Sequence, residues 1–261
     1  MKRFVVGDIH GGYLALLQIL EQCGFDYEND LLITIGDIVD GWPDVYRVVE
    51  ELLKIKNRID IVGNHDDWFL DFINFGVHPD SWSQGGLGTA HSYARAQSRE
   101  LKVQSTLVTR LRQHPRYNHM VDLISEDIPK THQDFFKGQA RIFKDWDNNV
   151  FVHGGFDKTL IPELSPRDYV MWDRKLWNKA LSAKSTKTNL KFEGEIKNVF
   201  IGHTSTLNSG SVLPMNADIV WNVDTGGGEP NGKLTIMNID TKEYFQSDLL
   251  STLYPNEVNN R

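Results

Sequence analysis

The chain has 261 residues, 40% of them hydrophobic and 24% charged, with a net charge of −7; this balance suits a globular protein and argues against broad electrostatic adhesion to nucleic acid or anionic membrane. Its single cysteine, Cys23, excludes an intramolecular disulfide and suits a reducing compartment, so a cytoplasmic location is the expectation. No run approaches the ~18 apolar residues of a membrane span, and no membrane partner is expected.

Residues 2–6 read as a first strand, followed by a tight turn at Gly11-Gly12 and a helix over 13–23 with Leu14, Leu17, Ile19 and Leu20 on one face. Residues 31–35 read as a second strand; Pro43 then opens a helix whose apolar face carries Val45, Val48, Val49, Leu52 and Ile55. A third strand over 59–62 leads into a helix over 66–75. Three strand-then-helix units in succession predict an α/β core.

Residues 76–147 differ: they are polar, open on Gln84-Gly85-Gly86-Leu87-Gly88-Thr89, and predict helices over 90–113 and 117–125 with no strong strand. The expectation is one domain over 1–261 with a helical cap or insertion at 76–147 lying over the site. Strand patterns resume at 149–152 and 198–201 and around 219–246; a helix starts at Ser165-Pro166, and Ser, Thr and Lys over 179–191 read as an exposed loop. Trp68, Trp82, Trp146, Trp172, Trp177 and Trp221 read as packing residues, and His78, His91, His114, His119 and His132 as solvated.

Five strand ends deliver side chains suited to a metal: Gly7-Asp8-Ile9-His10-Gly11, Gly36-Asp37-Ile38-Val39-Asp40, Gly63-Asn64-His65-Asp66, His153-Gly154-Gly155 and Gly202-His203-Thr204. Asp8 and His10, two residues apart, share one side of an extended backbone. Asp8, Asp37 and Asn64 are 29 and 27 residues apart, the length of one β-α unit each, which returns the chain to the same sheet edge. Oxygen and imidazole donors without thiolate disfavour a closed structural zinc site and favour catalytic Mn²⁺, Fe or Zn²⁺. Asp8, His10, Asp37, Asn64, His153 and His203 are too many for one open ion and suit two, with Asp37 shared. Such a pair acts as a Lewis acid and clamps both oxygens of an in-line displacement at phosphorus. His65 reads as a general acid for the leaving group, oriented by Asp40.

In this order the motifs resemble the signature of the calcineurin-like metallophosphoesterases. They are most similar to the phosphoprotein phosphatase branch, with its bacterial and bacteriophage Ser/Thr phosphatases and symmetrical dinucleoside tetraphosphatases. The motifs run from residue 7 to 204, and Asp224-Thr225-Gly226-Gly227 resembles the family's last strand region. The resemblance implies a central β-sandwich flanked by helices. It also implies one divalent ion on Asp8, His10 and Asp37, and a second on Asp37, Asn64, His153 and His203. Mn²⁺ is the expected metal, and a metal-bridging hydroxide is expected to attack phosphorus with no phosphoenzyme.

One position departs from the family. After the second carboxylate, where the branch carries a phosphate-gripping arginine, this chain has Gly41. Arg174 in Met171-Trp172-Asp173-Arg174 matches a second such arginine, while Arg167, Arg95 and Arg99 are candidates to replace the missing one. The expected activity is phosphoric monoester hydrolysis on phosphoserine or phosphothreonine in proteins, or on small phosphate esters. The alternative is a nucleotide-directed hydrolase, either a dinucleoside tetraphosphatase or a nucleic-acid end phosphatase. A non-catalytic binding module would show a damaged ligand set, and this set is complete.

Overall fold

The structure is a computed structural model that describes residues 1–76, 84–107 and 117–257. Three strand–helix units open the chain: β1 (Arg3–Val6) with α1 (Tyr13–Gln22), β2 (Leu31–Thr34) with α2 (Val45–Leu52), and β3 (Asn57–Asp60) with α3 (Asn64–Phe75). The middle segment holds α4 (Gly86–Ala96), β4 (Val103–Leu107), β5 (Tyr117–Val121) and α5 (Lys130–Lys137). It is followed by β6 (Ile142–Lys144), β7 (Asn149–Val152), α6 (Arg167–Trp172), α7 (Lys175–Thr186) and β8 (Asn198–Ile201). The chain closes with β9 (Met215–Ala217), β10 (Val220–Asn222), β11 (Thr235–Asn238), β12 (Tyr244–Gln246) and α8 (Leu250–Leu253).

Two five-stranded sheets result, in the orders β12-β11-β1-β2-β3 and β6-β7-β8-β10-β9. β1, β2 and β3 are parallel, as are β7, β8 and β10, while β11, β12, β6 and β9 are added by antiparallel pairing. Side-chain alternation explains the layering. Val5, Leu31 and Ile33 point between the sheets and meet Phe151, Phe200, Val223 and Met237. Phe151 and Phe200 stack there with centroids 5.0 Å apart. Their neighbours Phe4, Val6 and Leu32 turn outward onto α1, α2 and α3. On the second sheet Val150, Val152, Val199 and Ile201 turn outward onto α6 and α7. A β-sandwich covered by helices on both outer faces is what the family resemblance implies.

The middle segment corrects the sequence reading. α4 ends at Ala96, Ser98 takes a positive φ of 57°, and β4 pairs antiparallel with β5 in a two-stranded sheet. Helices over 90–113 and 117–125 are therefore replaced, among the described residues, by one short helix and a hairpin. Nor is the segment a loose polar layer: Tyr93, Leu123, Ile128, Phe135 and Phe136 join the same core as α1 and α2. Each such aromatic or aliphatic side chain contributes roughly 1.5–3 kcal/mol when fully buried.

Two smaller readings also change. The predicted loop over 179–191 is helical as far as Thr186, because Leu176, Trp177, Ala180 and Ala183 form a buried stripe beneath its polar face. His132 is fully buried rather than solvated, held by the Tyr93 hydroxyl at 3.0 Å and Glu50 at 2.8 Å. Trp82, His78 and His114 lie outside the described residues. Among those residues no helix is long and apolar enough to cross a membrane.

Candidate metal centre

The predicted ligands come from the carboxyl ends of β1, β2, β7 and β8 and from the first turn of α3, and the fold brings them together. Asp8, His10 and Asp37 place ligand atoms within 4.8 Å of one another, and so do Asp37, His153 and His203. Asp37 belongs to both groups. Asn64 joins the second group, its Oδ1 lying 3.1 Å from His153 Nε2. All six are buried.

The histidine tautomers follow from their partners. His10 Nδ1 faces the carbonyl oxygens of Val39 at 2.9 Å and Asp40 at 2.6 Å, and His153 Nδ1 faces that of Ile35 at 2.8 Å. A carbonyl only accepts, so each Nδ1 donates and each Nε2 is left for the centre. Those Nε2 atoms stand 3.6 and 3.3 Å from Asp37 Oδ2, which is buried and has no hydrogen-bond partner among the described residues. A buried carboxylate oxygen without a partner is costly unless a cation meets it. The donor set and this oxygen both fit a pair of divalent ions.

The protonation pattern has the same cause. Burial pushes the Asp37 carboxyl up, yet the imidazoles of His153, His65 and His10 outweigh it and hold Asp37 well below the usual carboxylate range. Burial also opposes charge on His153, but Asp37 and Asp8 carry its imidazole up to about 10. The acidic cluster thus favours positive charge at its centre.

Backbone geometry at these strand ends is unusual. Nine non-glycine residues among those described have positive φ, and four of them are His10, Asp37, Asp40 and His203. Such conformations cost of order 1–3 kcal/mol each and persist where the surroundings over-determine them. Two glycines show the crowding that does so. A Cβ on Gly63 would lie 2.1 Å from Asp37 Oδ1, and one on Gly202 would lie 2.1 Å from Asp8 Oδ1. The glycine of one motif is thereby the room needed by the carboxylate of another.

His65 and Asp40 also meet as predicted, with Nδ1 donating to Asp40 Oδ2 at 2.9 Å. The His65 amide donates to Asp37 Oδ1 at 3.0 Å, so the start of α3 is anchored on the shared carboxylate. Two residues overlooked in the sequence complete the arrangement. Thr89, on α4, donates its hydroxyl to Asp40 Oδ1 at 2.7 Å and accepts from the Asp40 amide at 2.9 Å. Asp66 accepts from the amides of Ile38, Val39 and Gly63 and from Gln139, tying the Asp37 turn to the start of α3. Burial, with Asp37 nearby, pushes the Asp66 carboxyl up to about 6. Asp66 has a local signal, an acidic residue in the first turn of a helix reaching back to its start. Thr89 has none, because its partner is 49 residues away.

The rim is the less complete part. Gly41 has a φ of 136°, a value that L side chains rarely adopt, and its amide donates to Gly85 O at 3.0 Å. A Cβ on Gly88 would lie 2.5 Å from Gly41 O, so the start of α4 sits directly on the backbone where the family arginine would stand. Arg167 pairs with Asp67, Arg99 with Asp122 and Asp127, and Arg95 with Glu257, so none of these three replacements is free of a carboxylate. Arg174 is exposed and forms no ion pair among the described residues. The Asp173 carboxylate beside it accepts the amides of Lys175 and Leu176 and so fixes the turn from which Arg174 extends.

The tryptophan reading needs division. Trp177 is fully buried, but Trp172 is 44% exposed and its ring meets His203.

Comparison with known proteins agrees with this geometry. The family profile of the calcineurin-like phosphoesterases matches residues 1–225. Serine/threonine-protein phosphatase 1 of Salmonella typhimurium is 40% identical over 68 residues, 26% of this chain and 31% of that protein. The symmetrical bis(5'-nucleosyl)-tetraphosphatase of Buchnera aphidicola is 40% identical over 67 residues, 25% of this chain and 24% of that protein. The matched segments thus span less than a third of either relative's length. Among solved structures, a candidate diadenosine tetraphosphatase superposes with a TM-score of 0.61 at 16% identity, covering 94% of this chain and 92% of that one. A cold-active protein tyrosine phosphatase superposes with a TM-score of 0.54 at 13% identity, covering 94% and 78%. At such identities these structures share the fold. With a profile match over most of its length and the motif residues gathered at one end of the two sheets, the chain belongs to the calcineurin-like phosphoesterase family.

Proposed function

We propose that this protein is a dinuclear-metal-dependent phosphoric monoester hydrolase acting on phosphoserine or phosphothreonine in proteins. The observation that carries the reading is Asp37, buried between two triads of ligand atoms with one oxygen unpartnered. Asp8, His10 and Asp37 would hold one ion, and Asp37, Asn64, His153 and His203 the second, with Mn²⁺ ahead of Fe or Zn²⁺. When bound, such a pair supplies Lewis acidity toward phosphate oxygens and lowers the pKa of bound water.

The chain's own residues do the rest. His10 and His153 are oriented by backbone carbonyls, so the centre is preorganised. His65 carries the proton for the leaving oxygen on Nε2, while Asp40 stabilises its cationic form through Nδ1. Thr89 holds Asp40 in turn. Arg174 is assigned to the substrate phosphate, for which its fork of donors suits two oxygens.

Gly41 favours a second reading, a nucleotide-directed phosphohydrolase, because the phosphate grip differs where the substrate is first met. The test is phosphate release from a phosphoserine peptide and turnover of diadenosine tetraphosphate by the Mn²⁺-loaded protein. Faster turnover of the peptide supports the first reading, and faster turnover of the dinucleotide moves the assignment to the second. Failure to hydrolyse either, or a generic aryl phosphate, with two ions bound per chain would overturn both.

A further inference from the structure

The rings around the centre form an almost continuous series. His10 meets His65 at 5.2 Å between centroids, His65 meets Trp68 at 5.0 Å, and Trp68 meets Trp172 at 5.2 Å. Trp172 then meets His203 at 5.7 Å, and His203 meets His153 at 5.0 Å. Four of these six rings belong to proposed metal ligands or to the proton carrier. The remaining two, Trp68 and Trp172, have no such duty.

Their placement is not that of core residues. Trp172 is 44% exposed and Trp68 is half-buried, whereas Trp42 and Trp177 are each about 1% exposed. The two indole planes are inclined at 56°, so neither covers the face of the other. The Trp172 contact with His203 is edge-to-face at 86°, and nearly half of Trp172 stays exposed. A large apolar face left open beside a buried charged cluster is a liability unless something planar covers it.

We propose that Trp68 and Trp172 form a ledge for a planar aromatic ring carried by the substrate's own leaving group. The position follows from the proton: the leaving oxygen is the atom His65 protonates, and Trp68 is the ring directly beside His65. Trp68 and Trp172 are thus the partly exposed indoles next to the group attached to that oxygen. A nucleoside phosphate and an aryl phosphate share the required chemistry, whereas phosphoserine lacks it. The ledge rests on the phosphoesterase reading and favours its nucleotide-directed form over the phosphoserine form. Stacking on an exposed indole by a base or aryl ring is tolerant of ring identity and worth about 5- to 100-fold in affinity.

The test has two parts. For the Mn²⁺-loaded protein, kcat/KM is compared for adenosine 5′-monophosphate and phenyl phosphate against ribose 5-phosphate and O-phosphoserine. Trp172→Leu and Trp68→Leu should each lower the ratio of ring-bearing to ringless kcat/KM about tenfold, mostly through KM, and Trp172→Phe should restore most of it. Loss confined to adenosine 5′-monophosphate assigns the ledge to a nucleobase; loss confined to phenyl phosphate assigns it to an aryl ester. An unchanged ratio overturns the proposal.

Calorimetry on the metal-free protein is the second, independent part. Adenosine 5′-monophosphate or phenyl phosphate should bind at least fivefold more tightly than ribose 5-phosphate, with the difference abolished in Trp172→Leu. Equal binding of all three overturns the ledge even if hydrolysis is found. Absence of all hydrolysis with ring-selective binding retained sinks the catalytic reading instead.

Discussion

The sheet edge and the middle segment over residues 84–141 meet at Asp40, and they are built in different ways. At the sheet edge, ligands arrive on short strand ends in left-handed conformations, and each group is fixed by a neighbour from another motif. The middle segment reaches the site through Thr89 on Asp40, Gln139 on Asp66 and the Gly85–Gly88 turn on Gly41, and is itself held by ordinary packing of Tyr93, Phe135 and Phe136 around His132. The difference separates two kinds of dependence. Loss of one group at the sheet edge removes the chemistry, while loss of one group in the middle segment shifts it.

Asp37→Asn tests the first half of that contrast at its strongest point. The shared carboxylate loses its charge, so metal content by elemental analysis should fall from about two ions per chain to below one, and hydrolysis should vanish. Retention of both ions would mean that Asp37 is not shared. His65→Asn should leave metal content at its original level and slow turnover of alkyl phosphates by ~10²–10⁴. An activated aryl phosphate needs less protonation and should lose less; equal losses on both esters would remove His65 from the acid role.

Thr89→Val probes the junction. Asp40 then loses two hydrogen bonds in a buried setting, one at its carboxylate and one at its amide, where an unpaired group costs about 1–3 kcal/mol. The expected result is a fall in kcat of roughly tenfold, with the acid limb of the rate profile displaced and metal content unchanged. A loss as large as that of His65→Asn would show that the middle segment is integral to the chemistry and would erase the contrast.

The smallest effect belongs to His132, deep in the middle segment. Burial holds its imidazole below the ordinary value, with Glu50 pulling the other way. Since the unfolded chain takes up that proton first, near pH 6.5, the folded state loses stability as pH falls through that value toward the lower folded one. Thermal midpoints measured between pH 7.5 and 5.5 should therefore drop less in His132→Gln than in the parent. A parallel drop in both would place the sensitivity elsewhere.

Legibility in the sequence follows the same division. Asp8, Asp37 and Asn64 could be read because each closes a short apolar strand, and the intervals between them match a β-α unit. The hairpin of β4 and β5 was lost because the helical period of α4 was extended past Ala96, although Val103, Ser105 and Leu107 already alternate as a strand does. His132 looked solvated because a lone histidine in a polar stretch carries no sign of its distant partners, Tyr93 and Glu50. Thr89 and the packing of Gly88 on Gly41 are contacts across the fold with no local pattern. The substrate end of the site is written in such contacts. The metal end is written in motifs.

The pairing of β1 with β11 sets Phe4 opposite Asn238. In kinetic terms, the strand that leads into Asp8 gains this neighbour only after a loop of more than two hundred residues has closed, the kind of topology that folds slowly. Ligands drawn from Asp8 through His203 converge only when strands of both sheets have come together, so an unfolded chain offers the cations no assembled site. Ions that bind only the finished arrangement deepen the native well without lowering the barrier into it. They act as a latch on the completed fold, extending its lifetime rather than hastening its arrival.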